Sequence, residues 1–217
     1  IAPKSAGDIH WLIIPAAGTG GAGGQGQLYY IGATLEYRLN GENATVEVTP
    51  DYVMVRPQPL LQLDYFLPTD VYADDPFTSA TESPVPFTLG VRINNTGGGI
   101  SAKTSILSAQ PRIVDNQQGL LIDFQIIGGY VDDEPAGKSL LLDFGDINAG
   151  TARMGRWSMV TTLSGRFVEF DAEYQHADSL GGAVTSLIDQ VTTHTLVHDV
   201  KVDLAGRDNI SDFLALD

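Results

Sequence analysis

The 217-residue chain has no cysteine, which excludes a disulfide framework, a thiolate metal site and a cysteine nucleophile. Basic residues are scarce: 12 Lys and Arg stand against 27 Asp and Glu, a formal net charge of −15 and a pI near 4.4. Binding to nucleic acid needs a basic stripe to meet the phosphates, and this balance argues against it. Long apolar runs are missing as well, since none approaches the roughly 18 residues of a membrane-spanning helix. No signal peptide is visible and the first residue is Ile1 rather than Met. The chain therefore reads as a mature product or a piece cut from something longer. What is present is a chain with only 18% charged but 43% hydrophobic residues, enough to bury a core and to exclude disorder of the whole.

Alternation of period two dominates and predicts strands with one buried face. Tyr29, Ile31, Ala33, Leu35, Tyr37 and Leu39 fall on one face, and Asn40-Gly41 turns the chain into Val46 and Val48, the pattern of a hairpin. Before it, Ile9 to Ile14 is a short apolar run ended by Pro15, and Gly18 to Gly26 is too glycine-rich for regular structure. Arg56-Pro57-Gln58-Pro59 reads as an extended linker. A domain boundary is expected there, leaving residues 1–57 as a small β-unit too short for a core of its own.

After the linker, Leu61, Leu63 and Tyr65 share a face, and Pro68 to Pro86 reads as a long surface loop or a proline-broken edge strand. Phe87, Leu89, Val91 and Ile93 give the clearest strand of the chain, turned by Asn94-Asn95-Thr96-Gly97. Further short runs contain Ile122, Phe124 and Ile126; Leu140, Leu142 and Phe144; Trp157 and Met159; and Val168, Phe170, Ala172 and Tyr174. Strands at this spacing with Gly, Asn and Asp between them predict an antiparallel, immunoglobulin-like β-sandwich over 58–175. A short α/β extension is expected over 176–217. Val184, Leu187, Ile188 and Val191 have helical spacing, Leu196 to Leu204 alternates as a strand, and Asp208 is placed to cap a last helix over 209–216.

The stretch Phe87-Thr88-Leu89-Gly90-Val91-Arg92-Ile93-Asn94-Asn95-Thr96-Gly97, together with Leu142-Asp143-Phe144-Gly145-Asp146-Ile147-Asn148-Ala149-Gly150 and then Trp157, resembles the CARDB type of prokaryotic immunoglobulin-like module, the cell-adhesion-related domain of bacteria. The likeness covers 85–174. It implies a β-sandwich module of a large secreted or surface protein with a structural or adhesive role, and supplies no catalytic residues. Pro111 to Pro135 departs from it, with an extra strand and the acidic turn Asp132-Asp133-Glu134.

Motifs that carry chemistry fare poorly. Gly18 to Gly23 matches G-x-G-x-x-G, but a dinucleotide fingerprint must open a helix, and here a strand follows near Leu28. Gly137-Lys138-Ser139 lacks the first glycine of a phosphate loop and follows Asp133 and Glu134, which repel phosphate. His194 and His198 lie about 13 Å apart in a strand, too far to share a zinc ion. The N-x-[ST] triplets at Asn43, Asn94 and Asn209 are read as chance. A pair of carboxylates in a cleft, as in a hydrolase, is compatible with the composition but not indicated by it.

Clustered carboxylates in loops suit calcium, which takes six to eight oxygens. The clusters are Asp70, Asp74 and Asp75; Asp132, Asp133 and Glu134; and Asp143 and Asp146 with Asn148. Tyr29-Tyr30, Tyr65-Phe66 and Tyr72 are candidates for stacking on sugars. The expected function is a non-catalytic structural or adhesive segment of an extracellular or cell-surface assembly. Its partners would be neighbouring domains or identical subunits, joined through edge strands in a filament. The alternatives are a calcium-dependent carbohydrate- or protein-binding module and a hydrolase accessory domain.

Overall fold

The computed structural model describes residues 5–16, 18–21, 24–112, 122–166, 169–175 and 187–216. The chain divides into two compact units, Ile1–Gln58 and Pro59–Asp217. Among the described residues every regular element is a strand.

The first unit is one hairpin, β1 (Gln27–Leu39) paired antiparallel with β2 (Glu42–Val55). Asn40 and Gly41 both have positive φ, 53° and 89°, as a two-residue type I′ turn requires, and Leu39 faces Glu42 across it. The ladder slips once, where Ile31 pairs with Asp51 but Ala33 pairs with Val48. The extra residue falls at Thr49-Pro50, and Pro50 has no N–H to give the ladder.

The second unit carries a seven-stranded sheet in the order β14, β13, β3, β5, β10, β7, β8. Its members are β3 (Leu61–Leu67), β5 (Phe87–Asn95), β7 (Phe124–Val131), β8 (Glu134–Gly137), β10 (Ala152–Thr161), β13 (Ile188–Lys201) and β14 (Ser211–Leu216). Neighbours are antiparallel except β13 and β3, which run parallel. A three-stranded sheet sets β6 (Ser101–Arg112) between β12 (Glu169–Gln175) and β9 (Leu142–Ile147), and a short ribbon pairs β4 (Asp70–Val71) with β11 (Gly165–Arg166). One buried cluster draws on both larger sheets: Leu61, Leu63 and Tyr65 of β3, Leu89, Val91 and Ile93 of β5, Trp157 and Met159 of β10, Ile106 of β6, and Leu142, Phe144 and Ile147 of β9. The alternating residues of each strand are therefore its inward row.

The α/β extension is corrected. Residues 209–216 are not a helix: Asn209 has φ 62°, outside helical space, and from Ser211 the exposure alternates with period two along β14. Asp208 does cap a backbone N–H, that of Ile210 at 3.1 Å, but as an Asx turn leading into a strand. Ile188 and Val191, assigned to the other helix, lie in β13, whose Val191, Thr192, Thr193, Thr195, Val197 and Val200 are β-branched and suit a strand. Leu187 precedes that strand, its carbonyl accepting from the Leu61 N–H at 2.7 Å, and the rest of the predicted helix, with Val184, lies outside the described residues, as does His176.

Candidate functional site

Between its slip and its turn the hairpin of the first unit has two chemically distinct faces. On one, Ala33, Leu35 and Tyr37 stand beside Val48, Val46 and Ala44, bounded by the pairs Ile31–Asp51 and Leu39–Glu42; on the other, Thr34, Glu36 and Arg38 stand beside Glu47, Thr45 and Asn43, and beyond the slip that second face carries Leu28 and Tyr30 beside Met54 and Tyr52. The slip at Pro50 keeps the apolar rows of the two strands in step, because β1 continues its alternation while β2 absorbs one residue. The apolar face is open: Leu35 is 48% exposed, Val48 52% and Leu39 59%. All residues of the buried cluster belong to the second unit. The Tyr29 hydroxyl donates to the Thr19 carbonyl at 2.8 Å, which ties the glycine-rich stretch to β1. Ile9 to Ile14 lies outside any strand with Ile9, Trp11, Leu12, Ile13 and Ile14 exposed.

In the second unit the last strand is held over the outer face of the large sheet. The Phe213 ring stacks on Phe66 with centroids 4.6 Å apart, and Phe66 stacks on His194 at 5.1 Å. A Cβ on Gly90 would lie 2.5 Å from the Phe213 ring, so only glycine leaves room for it. The start of β14 is fixed by Asp133, whose Oδ2 accepts from the Ser211 N–H and hydroxyl, each at 3.0 Å. Arg156 lies 2.8 Å from Asp133 and packs 4.9 Å from the Tyr130 ring centre, and the Lys201 ammonium is 3.5 Å from Asp133. Burial works to raise the Asp133 carboxyl, but the Ser211 bonds and the charges of Arg156 and Lys201 outweigh it and hold the carboxyl below its ordinary range.

The carboxylates singled out for calcium are placed as follows. Asp70 pairs with the Arg166 side chain at 2.9 Å. Asp74 accepts from Glu82 N–H and Asp75 from Phe77 N–H, both at 3.0 Å. Asp132 pairs with Arg153 and accepts from Met154 N–H. Asp143 accepts from Gly145 N–H and Asp146 from Lys103 N–H, both at 2.9 Å. Glu134 is exposed on β8. Asp132, Glu134 and Asp143, from two of the sequence clusters, line a single shallow groove of about 390 Å³, with Arg153 in its wall. Asp132 and Asp133 themselves form the β7–β8 turn with φ 48° and 66°. Among the described residues no three His, Asp or Glu side chains converge as a metal site.

Glu82 escapes a reading by clusters. Its carboxylate accepts from the Asp75 N–H and lies 2.9 Å from the Thr78 hydroxyl, and those two bonds, in that order, hold its carboxyl below the ordinary value. The only sequence signal for it is the Asp-Asp-Pro turn seven residues earlier. Of the sugar-stacking candidates, Tyr65 and Phe66 are both buried, while Tyr30 is 71% and Tyr72 61% exposed. Tyr72 lines a groove of about 410 Å³ with Phe87, His198 and Asp199. Comparison with protein-family models, with curated proteins and with solved structures finds no match.

Proposed function

We propose that the protein is a non-catalytic structural or adhesive segment of an extracellular or cell-surface assembly. In this reading its second unit is an immunoglobulin-like β-sandwich and its first unit an assembly element. The observation that carries it is the hairpin's open apolar face. A two-stranded hairpin is marginal alone in water, and monomeric proteins seldom leave so long an apolar strip exposed. The resemblance of 85–174 to the CARDB type of module supports the setting. The β8 and β14 edges of the large sheet, each bonded on one side only among the described residues, are further sites where a neighbour's strand can add. Electron microscopy and sizing of native material test this reading: ordered higher assemblies are expected, and a strictly monomeric, compact particle at high concentration contradicts it.

The Tyr72 groove supports a second reading, a carbohydrate- or protein-binding module that uses calcium. A glycan screen together with melting in calcium and in EDTA tests it. Glycan binding with a calcium-dependent melting point supports it, and neither contradicts it.

A further inference from the structure

We propose that the groove beside Tyr72 is a binding site for a neutral carbohydrate, one sugar ring stacking on Tyr72 while its hydroxyls bond to Asp70, His198 and Asp199. The inference rests on the binding-module reading above and commits it to carbohydrate as the ligand and to direct contact without a metal ion.

Three segments of the second unit build the groove: 68–72, which includes β4; 85–88, at the start of β5; and 196–199 of β13. They are tied to one another. The Val85 N–H donates to the Tyr72 carbonyl at 2.9 Å, and the Thr88 hydroxyl donates to Asp199 Oδ2 at 2.8 Å. Val71 is buried while the adjoining Tyr72 is exposed, because successive side chains of an extended segment point to opposite sides. The backbone is thus anchored and the Tyr72 ring left open to a ligand. Phe87, held edge-on to Phe124 with centroids 6.3 Å apart, adds a second aromatic surface to the groove. Its volume of about 410 Å³ falls in the range of small-ligand sites.

The polar groups decide the class of ligand. Residues 59–217 hold nine of the 12 basic and 22 of the 27 acidic residues, a net charge of −13, and among the described residues no Lys or Arg lines the groove. An anion is repelled. A cation, whether an ammonium group or calcium, finds the carboxylates already facing arginines: Asp70 Oδ1 pairs with Arg166 at 2.9 Å, and Asp199 Oδ2 lies 3.9 Å from the Arg156 guanidinium. Hydroxyl donors meet neither obstacle. A carboxylate offers about four lone-pair sites, so both aspartates can accept further bonds, and the exposed His198 ring adds a nitrogen donor or acceptor. A pyranose has both matching parts, hydroxyls at its rim and a face of C–H groups that packs on an aromatic ring.

The test is an amide NMR titration of the intact isotope-labelled chain, in EDTA, with cellobiose, maltose, lactose and N,N′-diacetylchitobiose. At least one of these is expected to give saturable shifts at Tyr72, Thr88 and 197–199. Tyr72→Ala is expected to weaken that binding roughly tenfold and Tyr72→Phe to retain it. Tyr30→Ala, at an exposed tyrosine of the hairpin, is expected to leave it unchanged. The proposal is overturned if no disaccharide gives saturable shifts, if Tyr30→Ala abolishes them and Tyr72→Ala does not, or if tetramethylammonium moves the same amides more strongly. Disaccharide binding that appears only when calcium replaces EDTA overturns direct contact and leaves the binding-module reading standing. Absence of sugar binding together with a melting point indifferent to calcium ends both.

Discussion

The side-chain amide of Asn95 donates to the main-chain oxygen of Ile147 at 3.0 Å, joining the end of β5 to the end of β9 in the other large sheet. Asn95 is fully buried. Its Nδ2 also donates to Gly99 O at 2.7 Å, and its Oδ1 accepts from Leu60 N–H at 3.2 Å and Gly97 N–H at 3.1 Å. All four capacities of the amide are used, so the chain entering β3, the turn after β5 and the end of β9 meet on one side chain.

Asn95→Asp removes both donors and sets a carboxylate against two carbonyl oxygens. A loss of about 2–4 kcal/mol is expected in urea unfolding, with Asn95→Ala on the same scale because the groups left behind are buried and unpaired. A loss below about 0.5 kcal/mol, the size of an ordinary surface change, would show that the network is not structural.

At Gly90 a methyl group collides with the Phe213 ring. Gly90→Ala is expected to cost about 1–3 kcal/mol, as overpacking does, and to raise amide exchange along 211–216 before it affects β5. In the Gly90→Ala/Phe213→Ala double variant the two losses should fall short of their sum, because the clash needs both groups. Strict additivity would contradict the contact.

The anchor of β14 is acid-sensitive. The Asp133 carboxyl lies below its ordinary value of 3.8 in the folded protein, so the unfolded chain takes up the proton first. Its stabilisation is complete above that ordinary value and is lost as pH falls through the lower folded value. Protection of the 211–216 amides is expected to drop over that acid range, and Asp133→Asn to remove the drop while costing on the order of 1 kcal/mol at neutral pH. An unchanged acid profile in Asp133→Asn would assign the loss to another group.

Much of the fold is legible because it is local. Phe87, Leu89, Val91 and Ile93 show β5 by alternation alone, and Asn40-Gly41 shows the hairpin because few other pairs accept two positive φ angles. The same local reasoning fails at Phe213, Leu214 and Leu216. A run of six residues fits both periods, and what decides is Asn209 in left-handed space and the pairing of β14 with β13. The parallel pairing of β13 with β3 joins residues more than 120 apart, and no local pattern encodes it. In the candidate sites, Asp132 and Asp133 are visible as acids, but their ion pairs with Arg153 and Arg156 depend on β7 lying beside β10. The open apolar face of the hairpin is readable in advance, since both its rows and its lack of an accompanying core follow from residues 1–58.

Sedimentation of the intact chain over a range of concentrations tests the central claim, association through that hairpin. The wild-type chain is expected to sediment at twice its 23.2 kDa or more as concentration rises, and the Leu35→Asp/Val48→Asp variant to remain at the mass of one chain with its melting midpoint unchanged. A wild-type mass of one chain at all concentrations, or association that survives the two aspartates, would contradict the account.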